Sequence, residues 1–273
     1  MSTIAVHTAT LRGGLTAPYA EAGYPGATPV VLVHGYMDSW RTFEPVLRRF
    51  PLALHGYAPT QLGHGDADEP PDGYAPEDLA ADLVAFLDHV GIERTVLVGG
   101  SSGGIQARIV AGRYPDRVAG LVLLGVPATL DDKPAVTGMW ETVRDVRDPV
   151  DRRLAEELAR GMTAGPVDPD FLETAVRESL KAPAHVWRES LRGLLETDLR
   201  ATLTGILVPT LVIWGDRDPL LTRADQQVIL DAVHGSRLIV YEGAGHGVYW
   251  EDPQRVITDI ADFATGLRGA TGS

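Results

Sequence analysis

Val96-Leu97-Val98-Gly99-Gly100-Ser101-Ser102-Gly103-Gly104 is the stretch that decides the fold. Thr95–Val98 reads as a buried strand. It runs straight into small residues, and a helical pattern follows at Ile105, Ile109 and Val110. A turn that tight between strand and helix tolerates little side chain at its flanks, which accounts for the glycines. A serine on the turn is held in a strained backbone conformation with its hydroxyl pointing out at the carboxyl end of the sheet. The helix N-terminus beneath it offers backbone N–H groups to developing negative charge. Gly-x-Ser-x-Gly occurs twice, as Gly99-x-Ser101-x-Gly103 and Gly100-x-Ser102-x-Gly104. Spacing from the strand favours Ser101 as nucleophile and leaves Ser102 to give its N–H to an oxyanion hole.

Outward from this turn, short apolar runs alternate with helical patterns, which argues for parallel strands covered by helices on both faces. The runs are Val30–Val33, Pro51–Leu54, Thr95–Val98, Ala119–Leu124, Pro209–Trp214 and Arg237–Tyr241. One helix is expected from Pro76, with Leu79, Leu83, Phe86, Leu87 and Val90 on one face and Gly91 as its stop. Another is expected from Pro253, and the tail from Gly266 is expected to fray. Residues ~130–205 break the alternation. They hold helical patterns opened by Asp148-Pro149 and by Asp168-Pro169, and a third carrying Val186, Leu191, Leu194 and Leu195, with no strand-like run between them. The domain reading is a core in two parts, 1–128 and 206–273, with a helical cap inserted at 129–205; a segment of roughly 75 residues is small to stand alone.

Three further segments follow strands in the order that serine chemistry needs. His34-Gly35-Tyr36-Met37 comes after the first run, where a turn can aim the Tyr36 N–H at the same point as that of Ser102. Gly215-Asp216-Arg217-Asp218-Pro219 and Gly243-Ala244-Gly245-His246-Gly247 follow the last two runs. A serine hydroxyl is a poor nucleophile without a base, and the base needs an orienting acid.

These four ordered segments resemble the α/β-hydrolase superfamily over nearly the whole chain, within it the cap-bearing serine esterase and haloperoxidase-like branch. The resemblance implies a mostly parallel eight-stranded sheet flanked by helices, with an antiparallel strand near the N-terminus; residues 3–22 supply the first two strands. It maps Ser101 to the nucleophile, His246 to the base, Asp218 to the acid, and the N–H groups of Tyr36 and Ser102 to the oxyanion hole. Asp216 is the alternative acid. His34 is expected to be structural and His64 to support a loop near the site. Met37, Met139, Trp140 and Trp187 are candidate pocket residues. Gly100, where many relatives carry a larger residue, is expected to leave room at the turn.

The implied activity is a serine hydrolase cleaving a carboxylic ester or lactone through an acyl-enzyme, with a small-molecule substrate. Perhydrolysis and C–C bond hydrolysis use the same triad, and a non-catalytic ligand-binding scaffold is the reading from another class. Haloalkane dehalogenases and epoxide hydrolases of this superfamily carry an aspartate where Ser101 stands.

Composition narrows the rest. The 273 residues are 44% hydrophobic and 22% charged, and 24 basic against 37 acidic residues give a net charge of −13. So acidic a chain repels phosphate backbones and anionic membrane surfaces, so neither nucleic acid nor membrane is an expected partner. Cys is absent, which removes disulfides and thiolate chemistry. No His-Glu-x-x-His spacing occurs, and neither a metal nor a cofactor is expected. The N-terminus lacks a basic start and apolar stretch, and the longest apolar run, Val118–Leu130, is broken by Gly120, Gly125 and Pro127. The expected location is the cytoplasm.

Overall fold

A computed structural model describes residues 2–270. Eight strands form one sheet: β1 (Ile4–Thr10), β2 (Thr16–Gly23), β3 (Thr28–Val33), β4 (Leu54–Pro59), β5 (Thr95–Gly100), β6 (Val118–Leu124), β7 (Thr210–Gly215) and β8 (Arg237–Tyr241). Their order is β1-β2-β4-β3-β5-β6-β7-β8. Only β2 runs antiparallel to its neighbours, β1 and β4; every other pairing is parallel. Ten α-helices are present among the described residues: α1 (Glu44–Leu47), α2 (Pro76–His89), α3 (Gly103–Arg113), α4 (Pro134–Val143), α5 (Arg152–Gly161), α6 (Pro169–Ser179), α7 (Ala184–Glu196), α8 (Arg223–Ala232), α9 (Val248–Glu251) and α10 (Pro253–Ala270). None of the described helices is long and apolar enough to cross a membrane.

The unbroken apolar runs are explained by two cores, one on each face of the sheet. Leu32, Val96, Val98, Val122 and Leu124 face one core with Ile257 and Ile260 of α10. Val31, Val33, Leu97, Leu121 and Leu123 face the other with Phe86 of α2 and Ile109 of α3. Successive strand residues point to opposite faces, so a doubly covered strand is apolar at every position. β5 and β7 are buried throughout.

Between β6 and β7 the chain forms α4–α7 and no strand. The fully buried Arg108 of α3 holds both ends of this stretch to the core. Its guanidinium donates to the Pro127 carbonyl at 2.7 Å, the Leu199 carbonyl at 2.8 Å and the Thr202 hydroxyl at 2.5 Å. Burial pushes its pKa down to about 9, so it is still charged at neutral pH.

Three expectations need correction. The fourth strand is Leu54–Pro59, not Pro51–Leu54; Pro51–Ala53 is a turn that leaves Leu52 80% exposed. The strand was hidden because its own residues, His55, Gly56 and Tyr57, are not an apolar run. Asp148 does not open a helix. α5 starts at Arg152 behind Asp151, and Asp148 instead accepts from the N–H of Ala184 at the start of α7. The tail expected to fray from Gly266 continues α10 to Ala270, and residues 271–273 lie outside the described residues.

Replacing Arg108 by Leu is expected to lower stability by roughly 3 kcal/mol, because buried carbonyls at both ends of the α4–α7 stretch lose a charged donor. Urea denaturation of the two proteins measures it.

Candidate active site

The turn after β5 is as tight as its sequence requires. Ser101 sits at φ 50°, in the left-handed region that non-glycine residues avoid. Its N–H donates to the Leu124 carbonyl at 2.9 Å, and its carbonyl accepts from Gly104 at 3.0 Å. A Cβ on Gly99 would lie 2.3 Å from the Gly104 Cα, and one on Gly103 would lie 2.3 Å from the Val33 and His34 carbonyl oxygens. Strand and helix backbones meet here with no space for a side chain.

The Ser101 hydroxyl is 2.9 Å from His246 Nε2, and His246 Nδ1 is 2.7 Å from Asp218 Oδ2. The His246 and Asp218 side chains are 3% and 0% exposed. Asp218 follows β7, and its Oδ1 accepts the N–H groups of Leu220 and Leu221 at 2.8 and 3.0 Å, which fixes the carboxylate plane toward the imidazole. Asp216 instead accepts the Gly243 N–H at 2.6 Å and closes the turn below His246.

His246 sits in a loop fastened from outside. Glu251 of α9 accepts three backbone N–H groups: Gly245 and Ala164 on Oε1, both at 2.9 Å, and Gly165 on Oε2 at 3.1 Å. The Gly247 N–H donates to the Met162 carbonyl at 2.6 Å. Both neighbours of His246 are thus stitched to the segment between α5 and α6.

On the other side, Tyr36 and Ser102 border the serine. Among the described residues the backbone N–H groups of Tyr36 and Ser102 donate to no protein acceptor. The Tyr36 hydroxyl donates to the Trp187 carbonyl at 2.8 Å, and the two rings meet edge to face. Buried His34 accepts the Gln61 N–H on Nε2 at 2.9 Å, so Nδ1 carries the proton to the Gly35 carbonyl at 2.8 Å. His64 packs beside it, with ring centres 5.3 Å apart. Burial, together with the neighbouring ring, holds His34 down at about 3; burial holds His64 down at about 4.

Ser101 and His246 open into a cavity of about 140 Å³. α4, α5 and α7 give Met139, Leu158 and Leu191 to its walls, and Met162 joins them from the end of α5. Of the pocket residues expected from sequence, Met37 and Met139 line it. Trp140 and Trp187 do not. Trp187 is fully buried, with its indole N–H on the Ala182 carbonyl at 3.2 Å, and Trp140 stacks with Arg192. Gly100 leaves no room: a Cβ there would lie 3.0 Å from the Tyr249 ring, which fills the space. Asp38, Tyr249 and Trp250 line the cavity and were not singled out from the sequence. For Tyr249 and Trp250 the available signal was the apolar and aromatic run Val248-Tyr249-Trp250, which starts two residues after His246. No group of three or more His, Asp or Glu able to hold a metal ion occurs among the described residues.

Comparison with known proteins gives one family. The profile described as the alpha/beta hydrolase fold matches residues 28–253. Epoxide hydrolase A of Mycobacterium tuberculosis is 29% identical across 93% of this chain and 95% of its own. A non-heme haloperoxidase of Rhodococcus erythropolis is 29% identical across 86% of this chain and 91% of its own. Among solved structures, a thermophilic esterase from Thermogutta terrifontis superposes with a TM-score of 0.84 at 25% identity, covering 96% of this chain and 99% of the esterase.

The two buried histidines set a pH dependence. Their folded pKa values lie below the ordinary 6.5, so the stability they contribute is complete above 6.5 and is lost as pH falls toward 4 and 3. The urea midpoint of the wild type is expected to fall more steeply between pH 7 and 4 than that of His64→Gln.

Proposed function

The chain belongs to the alpha/beta hydrolase fold family, and we propose that within it the protein is a serine hydrolase that cleaves a carboxylic ester or lactone through an acyl-enzyme. The observation that carries this reading is the continuous hydrogen-bond line Ser101–His246–Asp218, at 2.9 and 2.7 Å. In this reading His246 Nε2 takes the Ser101 proton as the hydroxyl oxygen attacks the substrate carbonyl. Asp218 holds the imidazole with Nδ1–H toward itself and stabilises the imidazolium. The N–H groups of Tyr36 and Ser102 face the oxyanion; a single such donor is worth ~3–4 kcal/mol in comparable sites. His246 then protonates the leaving alkoxide, or the ring oxygen of a lactone. Water attacks the acyl-enzyme with His246 as base, and the acid departs.

The residue at the turn favours this over epoxide opening. The M. tuberculosis relative is named an epoxide hydrolase, but the family's epoxide hydrolases carry an aspartate there, and this chain has Ser101. The similarity to an esterase structure points the same way. Residues 129–205 act as the cap in this reading: α4–α7 wall the cavity and exclude water from the reacting atoms. A volume near 140 Å³ resembles a cavity of ~150 Å³ that takes benzene. The substrate is accordingly a small molecule with a compact apolar group.

Purified protein is expected to hydrolyse short p-nitrophenyl esters and to be labelled by a fluorophosphonate at Ser101. Ser101→Ala and His246→Ala each lose turnover by roughly 10⁴-fold or more, with an unchanged circular dichroism spectrum, and Asp218→Asn loses about 10³–10⁴-fold. Full activity in Ser101→Ala overturns the assignment.

A further inference from the structure

Several polar side chains line the cavity, and most are bonded within the protein. Ser101 and His246 bond each other, the Ser179 hydroxyl donates to the Ala175 carbonyl at 2.8 Å, and Lys133 is paired with Asp132 and Asp225 at 2.8 and 2.5 Å. Asp38, which accepts bonds from Ser39 and Thr42, and Tyr249 are both buried and both line the cavity beside Ser101.

The Tyr249 hydroxyl is enclosed and has no well-formed hydrogen bond. Thr42, nearby, already accepts the Trp250 indole N–H at 2.7 Å. The Tyr249 hydroxyl also lies 3.0 Å from where a Cβ of Gly100 would stand, which places it against the residue preceding Ser101. The glycine at position 100 is what lets a phenol come this close. Asp38 lies two residues after Tyr36, and its Oδ1 accepts the Ser39 N–H at 2.9 Å. A buried hydroxyl without a hydrogen bond is costly, and this one adjoins the reacting centre in a chamber walled mostly by apolar side chains.

We propose that Asp38 and Tyr249 form a polar subsite that takes an oxygen carried by the substrate close to its scissile carbonyl. The substrate class is then oxo-, hydroxy- or alkoxy-substituted carboxylic esters and the corresponding lactones. This rests on the serine-hydrolase reading above and narrows it.

Protonation suits an acceptor oxygen. Burial pushes the Asp38 carboxyl up to about 7, and Glu178 of α6 pushes the same way, against the bonds from Thr42 and Ser39. Glu178 is itself paired with Lys181 at 2.8 Å and Arg41 at 3.6 Å. Burial first, then the charges of Asp38 and Asp218, push the Tyr249 phenol far up. Below pH 7 both groups carry a proton and donate. Above it Asp38 is ionised and repels an ether or carbonyl oxygen.

The test compares phenyl methoxyacetate with phenyl butyrate, and phenyl 3-methoxypropanoate with phenyl pentanoate. Within each pair one oxygen replaces one methylene. Each kcat/KM is divided by the ester's hydroxide-catalysed rate constant, which removes intrinsic reactivity. The wild type is expected to favour the oxygen-bearing ester at least tenfold in one pair. Tyr249→Phe, which keeps the ring, cuts that preference at least fivefold. The preference declines from pH 6 to 8 in the wild type and stays flat in Asp38→Asn; taking a ratio cancels any pH dependence common to the two esters. Equal use of both esters, or a preference that Tyr249→Phe leaves intact, overturns the subsite while Ser101 labelling and butyrate hydrolysis leave the hydrolase standing. No hydrolysis of any of the four esters, with no labelling of Ser101, overturns both.

Discussion

Everything at the centre of this molecule depends on one backbone torsion. Ser101 is a non-glycine residue at positive φ, a conformation that costs on the order of 1–3 kcal/mol. It persists because β5 lies between β3 and β6, and the Ser101 N–H is taken up by the Leu124 carbonyl one strand away. Were the turn to relax, α3 would start elsewhere and the serine hydroxyl would leave the His246 imidazole. The backbone at Gly99 and Gly103 lies so close to Gly104 and the end of β3 that neither position has room for a side chain.

The sheet was largely legible because it is covered on both faces. A strand with two buried faces shows as an unbroken apolar run, and β3, β5, β6 and β7 announce themselves that way. β4 did not. Its His55 bonds Glu21 of the antiparallel β2 and its Gly56 lies under the Phe50 ring, so polarity and smallness there reflect neighbours that a one-dimensional pattern does not show. The residues that meet at Ser101 were legible for another reason: each stands directly after a strand, and parallel strands deliver their ends to one edge.

The cavity wall was much less legible. A helical pattern reveals which residues share a face, not how that face is turned about the helix axis toward the sheet. Trp187 and Met139 looked equivalent in the sequence; one is buried against Tyr36 and the other looks into the cavity. Asp38 and Tyr249 were missed for a related reason. A carboxyl and a phenol ordinarily face water, and only the packing of α6 and α9 around them makes their burial apparent.

The Glu251 contact carries one more consequence, for how such a pocket changes over evolutionary time. The carboxylate holds the segment between α5 and α6 solely through main-chain N–H groups, and Gly247 holds it through the Met162 carbonyl. A fastening of that kind constrains the path of the chain and is nearly blind to its side chains. Met162 reaches into the cavity from a backbone position tied to the histidine loop. Mutation can therefore reshape this wall, and with it the range of molecules admitted, while the imidazole stays in place.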